Sequence, residues 1–570
     1  MSGFGSSIMT ELASLSSEAR RKYPEIKEAS ERVILLIRSS KNKPPADLAL
    51  ELAHSADTIL PFTLACTTKQ VKLITIAMGC MQRLTTHSAI PADSIATILT
   101  TLNDVVSLGV EIQLRILQLL MPLLSNYESV HGPVLAQALK LCFKLQESKV
   151  GVVNNTAAAT LRQLVILVFE KVGREDEALP PTLTVSQSES PDPGLSSSAR
   201  DALAVFQDLC LLTGGLSPQF IDIVGLARTF GLELMESVLT YHSSVFRRHR
   251  PFAALLRDHM CPVVIKLFSD SSDFPSYMRL MRLFFISIKQ LRTLIPVECE
   301  IYITMLIRLL DPDYPMWQRV LAMEVFRGMC GDGELLRFLY SEYDLRERAK
   351  PVYADFIAAL GRIATEKPNS IGIANGSAAT PQPTGTALTT AAEAPGGNGP
   401  EGSDSVDPSV LSRSLALVRV QCLDQLDKVE PPPIPDSYLF YLSMMCLTGV
   451  VDKLAATTLP LVTQSLPLAA SGASPVPEPL SDPTVPVLTR GLNLDQHAHG
   501  ALLRTVRGMT DAAWPALLAA FSFYLTTRLD DELFRQLMTA YQHLTNLSGA
   551  LGLGTPRDAL LTSLCKHCLP

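Results

Sequence analysis

The stretch NNTAAATLRQLVILVFEKVGR, residues 154–174, decides how this 570-residue chain is interpreted. It begins with polar and small residues, continues as a nearly unbroken apolar run and ends in charged residues. From Leu161 onward, apolar residues recur at spacings of three and four, which is the pattern of an amphipathic helix. We expect a residue within 154–156 to cap this helix and Gly173 to end it.

Two other interpretations of this stretch are weaker. A phosphate-binding loop needs glycines that bring backbone amides close to the anion, whereas three alanines stand here. The continuous apolar run from Leu164 to Phe169 is far shorter than the roughly 20 residues that cross a bilayer. The three alanines instead predict close approach of a neighbouring helix.

The rest of the chain repeats the helical pattern. Residues 73–84 and 278–294 each carry enough apolar positions to face neighbours on two sides. Apolar residues make up 47% of the chain but aromatic residues only 6%, a composition typical of stacked helices. We therefore predict an all-α fold, an irregular HEAT/armadillo-like α-solenoid of stacked helical hairpins with disordered linkers. A helix bundle is the alternative, but one bundle core would not accommodate so many helices.

Three segments interrupt the helices. Their Ser-, Pro- and Gly-rich composition cannot offset the entropy of ordering, so we predict disordered linkers at residues 174–198, 367–408 and 470–490. The linkers separate helical blocks at 6–173, 199–366, 409–469 and 491–570.

The net charge and the cysteine content limit the classes of protein to which this chain can belong. The net charge of −7 argues against a general nucleic-acid binder, so we expect no nucleic-acid partner. The eleven cysteines lie mostly within apolar helical patterns, as expected for reduced thiols of a cytosolic protein. The first residues lack a signal-peptide pattern, and no run of 18 apolar residues occurs. We therefore expect a soluble protein.

One short basic cluster stands out, formed by Arg247, Arg248, His249 and Arg250. Cations are favoured at helix C-termini, so the simplest interpretation is a solvated helix end. Contact with an acidic membrane or an acidic partner is the alternative.

No sequence pattern supports catalysis. Nucleotide-binding, zinc-protease, hydrolase and kinase motifs are all missing from the chain. The Cys565-Lys-His-Cys568 motif lacks a second ligand pair, and His497 and His499 are interpreted as part of a turn that leaves a linker. The two acids in RTFGLELMESVL, residues 228–239, are interpreted as part of a solvated helix face. We predict no catalytic, cofactor-binding or metal site and no enzyme activity.

Several long segments resemble one known family. They are NNTAAATLRQLVILVFEKV, RTFGLELMESVL, PFTLACTTKQVKLITIAMGCMQRL, ALAVFQDLCLLTGG, HMCPVVIKLFS, VECEIYITMLIRLLD, LDKVEPPPIPDSYL and LGLGTPRDALLTSLCK. They resemble the monensin-sensitivity (Mon-two) protein family, which is related to the large Sec-seven-type ARF guanine nucleotide exchange factors. The resemblance implies that block 6–173 is a DCB domain and block 199–366 a HUS domain.

The exchange factors carry an Asn-Tyr-Asp-Cys box in the HUS domain. The matching segment here, LYSEYDLRER, keeps Tyr343 and Asp344 and replaces both flanking residues. The pair either finishes one helix and caps the next, or helps to lock the two domains together. We carry Tyr343, Asp344, Arg247, Arg248 and Arg250 forward as candidate interaction residues.

The resemblance also implies a function. It implies a non-catalytic scaffold of membrane traffic, peripheral on trans-Golgi network and endosome membranes, with the catalytic domain missing and the chain continuing in a longer protein. Implied partners are a Dopey-family protein, a phospholipid flippase, Arl- or ARF-type small GTPases, and a second copy through the DCB domain. Two alternatives stay open: the regulatory N-terminal half of an ARF exchange factor, and a HEAT-type nuclear transport adaptor.

Overall fold

The computed structural model describes residues 3–19, 22–40, 43–178, 195–271, 273–346, 350–366, 410–412, 420–464 and 497–568. Within these ranges the fold is all-α, as predicted. The one strand-like feature among them is an isolated bridge between Leu411 and Leu529.

The helices are numbered here in chain order. They are α1 (Gly3–Ala19), α2 (Pro24–Ser39), α3 (Pro45–Ala53), α4 (Leu60–Thr67), α5 (Val71–Thr86), α6 (Ile95–Val105), α7 (Val110–Asn126), α8 (Gly132–Gln146), α9 (Gly151–Ala178), α10 (Ser197–Thr213), α11 (Arg228–Arg248), α12 (Arg250–Leu255), α13 (Cys261–Asp270), α14 (Phe274–Ile286), α15 (Pro296–Arg308), α16 (Met316–Cys330), α17 (Gly333–Leu339), α18 (Val352–Thr365), α19 (Tyr438–Gln464), α20 (Gly500–Leu525), α21 (Asp531–Ala550) and α22 (Gly554–Cys568).

The chain divides into two compact units. The first unit comprises Met1–Ser271 with Thr293–Ile295, and the second comprises Ser272–Arg292 with Pro296–Pro570. Each unit is described by itself below.

The first unit is built from two layers of helices. Helices α4, α6, α8 and α10 pack side by side in one layer, and α5, α7, α9 and α11 pack side by side in the other. Consecutive helices along the chain form hairpins that connect the layers. The core between the layers is aliphatic, as the stripes of the sequence predict, because each middle helix buries two faces against its neighbours.

The second unit repeats this arrangement. Helices α14, α16, α19 and α21 form one layer, and α15, α18, α20 and α22 form the other. Helices α18 and α19 pack directly on each other although many residues separate them along the chain. The irregular two-layer stacking of both units is that of a HEAT/armadillo-like α-solenoid.

The boundaries of α9 differ from the prediction. The helix begins at Gly151 rather than after residues 154–156, and the Asn154 side chain donates to the Gln146 carbonyl instead of capping α9. It also continues past Gly173 to Ala178. The expected linker at 174–198 is therefore helical at 174–178 and again from Ser197. Its remaining central part and the whole of the linkers at 367–408 and 470–490 lie outside the described residues.

Two helices are long and apolar enough to cross a membrane by length and composition alone. They are Gly151–Ala178, whose most apolar window is 50% buried, and Tyr438–Val462, whose window is 72% buried. Core helices of a helical array satisfy the same criteria, so this is weak evidence for a membrane span.

Candidate functional site

Helix α9 forms a junction where the first predicted block meets the second. It contacts α7 and α8 on one side and α10 and α11 on the other. The same helix therefore closes the first block and supports the beginning of the next one. Around this junction, aromatic and charged side chains join the first predicted block to the second.

An aromatic cluster fills the centre of the junction. Phe169 of α9 lies 6.2 Å from Phe206 of α10, 5.9 Å from Phe246 of α11 and 6.2 Å from Phe252 of α12, measured between ring centroids. All four rings are fully buried. Aromatic pairs at these distances contribute about 0.5–1.5 kcal/mol each beyond burial of their area. The two blocks thus share one core at this point.

Hydrogen bonds to Asp201 fix the start of α10 against the start of α8. The nearly buried Asp201 carboxylate lies 2.8 Å from the His131 Nδ1 atom and accepts the Gly132 amide at 2.9 Å. Nearby, Lys171 of α9 donates to the Tyr127 carbonyl at 3.3 Å. Burial, followed by the charge of Arg174, lowers the pKa of Lys171.

The predicted basic cluster lies on this junction. Arg247 and Arg248 occupy the last turn of α11, as expected for cations at a helix C-terminus, and are exposed. However, Arg248 lies 3.9 Å from Asp176 of α9, and the His249 Nε2 atom lies 3.1 Å from both carboxylate oxygens of Asp176. The helix-end interpretation agrees with the positions of Arg247 and Arg248, but Arg248 and His249 also contact the end of α9. Arg250 begins α12 and is exposed.

The expectation of a solvated acidic face on α11 is wrong. Glu236 is buried, and Glu233 is mostly shielded by an ion pair with Arg162 of α9. The Arg162 guanidinium also lies 5.4 Å from the centroid of the Phe230 ring. Glu233 faces α9 rather than solvent, and Glu236 is shielded from solvent, because α11 packs against neighbouring helices on that side.

The Tyr343–Asp344 pair lies in the second unit and connects three helices there. A π-helical turn, Tyr340–Asp344, follows α17, and the buried Tyr343 donates its hydroxyl to the Pro296 carbonyl at the start of α15. Asp344 accepts the backbone amides of Tyr353 and Ala354 at 2.8 and 3.0 Å. Of the two interpretations, the one in which the pair ends one helix and caps the next agrees with this geometry. Burial raises the pKa of Asp344, although the two amides oppose that shift.

Two buried acids were missed by the sequence analysis. Asp208 of α10 accepts three consecutive backbone amides, from Gln219, Phe220 and Ile221. Glu324 of α16 accepts the amides of Cys422 and Leu423. The available signal was a single acid within an apolar helical stripe, ALAVFQDLCLLT and VLAMEVFRGMC, where burial requires hydrogen-bond partners.

The described residues contain no group of three or more His, Cys, Asp or Glu side chains arranged to hold a metal ion. Cys565 is exposed on α22. The backbone amide of His499 donates to His497 Nδ1 at 2.9 Å at the start of α20. In the part of the chain described here, the arrangement provides contacts that hold neighbouring helices together.

Comparison with known proteins agrees with this architecture. A domain model described as Mon2/Sec7/BIG1-like dimerisation and cyclophilin-binding (DCB) matches residues 1–176, and a Mon2/Sec7/BIG1-like HUS domain model matches residues 198–352. The two matched regions meet at the α9 junction. The chain is therefore a helical repeat protein of the DCB–HUS class.

Full-length relatives sharpen that assignment. Proteins named MON2 homolog from Xenopus laevis and Homo sapiens are each 32% identical to this chain over 99% of its length. The chain belongs to the Mon2/Sec7/BIG1-like family, as the segments quoted above predict. It spans about a third, 35%, of the length of these two relatives.

Two further similarities are more remote. The brefeldin A-inhibited guanine nucleotide-exchange protein 1 of Bos taurus is 24% identical over 25% of this chain and 8% of its own length. A solved circular tandem repeat protein overlaps 99% of this chain and 98% of its own at 10% identity, but its TM-score of 0.19 is too low to bear on the fold.

Proposed function

We propose that this chain is the N-terminal part of a non-catalytic scaffold that regulates membrane traffic between the trans-Golgi network and endosomes. The observation that carries the proposal is the pair of matched DCB and HUS domains in a chain that is similar to MON2 homologs over nearly its whole length. Past the HUS match, the described residues continue as stacked helices of the second unit. Such layers offer extended surfaces for protein partners.

The proposed partners follow from the same family relation. They are a Dopey-family protein, a phospholipid flippase, Arl- or ARF-type small GTPases and a second copy bound through the DCB domain. The protein would lie on the cytoplasmic side of the membrane as a peripheral protein. We propose no nucleic-acid partner, in keeping with the net charge of −7.

A second candidate function is regulation of ARF nucleotide exchange. It is favoured by the similarity to the brefeldin A-inhibited guanine nucleotide-exchange protein 1. A nucleotide-exchange assay on purified ARF separates the candidates, since a scaffold leaves the rate of GDP release unchanged. Acceleration by the full-length protein would overturn the non-catalytic proposal.

Localisation and self-association test the scaffold directly. We expect the tagged full-length protein to overlap a trans-Golgi marker, whereas a nuclear pool would favour a transport adaptor. Self-association is best measured by light scattering on the intact chain. Deleting the first block would expose the faces of α10 and α11 that pack on α9, so a truncated chain would not be a clean comparison.

A further inference from the structure

The segment between the Cys422–Asp424 turn and helix α19 is exposed and rich in proline. Four of the five residues 431–435 are prolines, and Val429 beside them is 77% exposed. Proline fixes φ near about −65° and lacks a backbone N–H, so such a run favours the polyproline II conformation. Among the described residues, none donates a backbone hydrogen bond to the carbonyl groups of residues 429–434. With respect to the described part of the chain, these carbonyl groups can therefore accept hydrogen bonds from a partner.

One face of this run is exposed at the period of a polyproline II helix. That helix has three residues per turn, so Glu430, Pro433 and Asp436 share one face. All three are exposed, and so is the neighbouring ring of Pro431, whereas Pro432 and Pro435 are half-buried. The outward face therefore presents a proline ring between two carboxylates.

Both ends of the segment are fixed to the second unit by one buried acid. Glu324 accepts the amides of Cys422 and Leu423, each at 2.9 Å, and the Tyr438 hydroxyl at 2.9 Å. Arg282 of α14 donates to the Leu423 carbonyl at 2.9 Å. Fixing both ends reduces the conformational freedom that the segment would lose on binding, which favours affinity.

The charge of the segment narrows the class of partner. Residues 424–436 contain four acids, Asp424, Asp427, Glu430 and Asp436, and one base, Lys428, which gives a net charge of −3. A partner groove with basic residues at its rim would be attracted by this charge, whereas a groove with an acidic rim would be repelled.

We infer that residues 429–436 are a preorganised polyproline II ligand for a partner domain with an aromatic-lined groove and a basic rim. Aromatic rings of such grooves pack against proline rings, and the preformed extended backbone lowers the entropic cost of docking. This inference does not depend on the traffic function proposed above, because it rests only on the composition, exposure and hydrogen bonds of this segment.

The inference is tested with the purified 570-residue chain and a panel of purified SH3, WW and EVH1 domains that includes basic-rim and acidic-rim members. Binding is measured by fluorescence anisotropy of the labelled domains. We expect basic-rim domains to bind, with an affinity that falls as salt is raised. If no domain binds with a Kd below about 1 mM, or if acidic-rim domains bind equally well, the inference is overturned.

Matched variants locate the binding site. Pro431→Ala combined with Pro433→Ala is expected to weaken binding by about tenfold or more, since both exposed rings are removed. Glu430→Lys should weaken binding to basic-rim domains and reduce its salt dependence. Pro312→Ala, in the exposed turn between α15 and α16, is the control and should leave binding unchanged. Equal binding by the double variant and the unmodified chain would show that the contact lies elsewhere.

Discussion

Asp208 in the first unit and Glu324 in the second perform the same structural task over very different chain separations. Asp208 is fully buried and accepts three consecutive amides 11 to 13 residues further along the chain, at 2.6–2.8 Å. Glu324 is 4% exposed and accepts two amides 98 and 99 residues away and a tyrosine hydroxyl 114 residues away, each at 2.9 Å.

In this fold, buried carboxylates lie where irregular segments pack on helices. Helices satisfy their own backbone groups, but an irregular segment that packs on a helical layer brings amides without partners. A carboxylate on the supporting helix supplies acceptors for several of these amides at once. Asp208 binds the loop that follows its own helix, whereas Glu324 binds a segment that is far away along the chain. The Asp208 contacts are shorter and fix one loop, whereas the Glu324 contacts fix two ends of a segment.

Removing Asp208 tests the short-range anchor and should have the largest effect. Asp208→Ala leaves the buried Ile221 amide and the partly buried Gln219 and Phe220 amides without an acceptor. A buried group without a partner costs about 1–3 kcal/mol and a partly buried one less, so we expect about 3–5 kcal/mol of destabilisation in the first unit. Both tryptophans, Trp317 and Trp514, belong to the second unit, so hydrogen exchange by mass spectrometry is the suitable measurement.

The control for that variant lies on the same loop. Asp222→Ala removes a highly exposed acid that pairs with Lys140, and such surface pairs contribute about 0–1 kcal/mol. Similar exchange rates in the two variants would mean that Asp208 does not anchor the loop.

Removing Glu324 tests the long-range anchor. Glu324→Ala should destabilise the second unit by about 2–4 kcal/mol, because two amides and the Tyr438 hydroxyl lose their acceptor. Tryptophan fluorescence during urea unfolding reports on this unit. Asp424→Ala, which removes the exposed partner of Arg282 in the same segment, should cost only about 0–1 kcal/mol, as for a surface ion pair. A Glu324→Ala chain as stable as the Asp424→Ala chain would contradict the anchoring role.

The layers of both units could be predicted from the sequence, but the anchors between helices could not. Apolar spacing in residues 73–84 and 278–294 depends only on neighbouring positions, and it identified helices with two buried faces. The end of α9 depends on distant residues instead. Asp176 contacts His249, 73 residues away, and Glu175 accepts the Ser196 hydroxyl at 2.6 Å, so the helix extends past Gly173. No local pattern at Gly173 contains that information.

The same limit applies to the candidate interaction residues. Arg248 was chosen because of local charge, and Asp344 because of family resemblance. In the structure, Arg248 also contacts Asp176 on another helix, and Asp344 accepts the amide of Tyr353 on the next helix. Asp208 and Glu324 were missed because only the folded chain places the loop amides beside them. A lone acid in an apolar stripe indicates that partners must exist but does not say which residues they are.

One helix glycine in each unit extends the comparison, with smaller expected changes in stability. A Cβ at Gly231 of α11 would overlap the Thr213 hydroxyl at the end of α10, whereas a Cβ at Gly449 of α19 would meet Cys330 at ordinary contact distances of 3.7 and 3.8 Å. We expect Gly231→Ala to destabilise the first unit by about 1–3 kcal/mol. Gly449→Ala should stabilise the second unit by up to about 1 kcal/mol, because alanine favours the helix.

Hydrogen exchange in α10 and α11 measures the first of these substitutions, and tryptophan fluorescence during urea unfolding measures the second. Loss of stability in both variants would indicate that α19 packs against α16 as tightly as α11 packs against α10. The two glycine positions would then not differ in the space available for a side chain.

The smallest expected effect concerns pH. Burial raises the pKa of Glu324 above its usual 4.5, although the Leu423 and Cys422 amides and the Tyr438 hydroxyl oppose the shift. Between 4.5 and the raised value, the folded protein binds more protons at this group than the unfolded chain does. The proton-linked part of the stabilisation by Glu324 is therefore fully present below pH 4.5 and is lost as the pH rises through the folded pKa, whereas the carboxylate still accepts the two amides above that pH.

Because a glutamine side chain does not titrate in this pH range, Glu324→Gln should remove this dependence of the unfolding free energy on pH. Any effect of the substitution that is independent of pH is a constant offset. The measurement is the difference in unfolding free energy between the two chains, from tryptophan fluorescence in urea at a series of pH values. Asp344, whose pKa burial also raises, is present in both chains and cancels in the difference. Parallel pH profiles would show that the amides and the tyrosine offset the cost of burial completely.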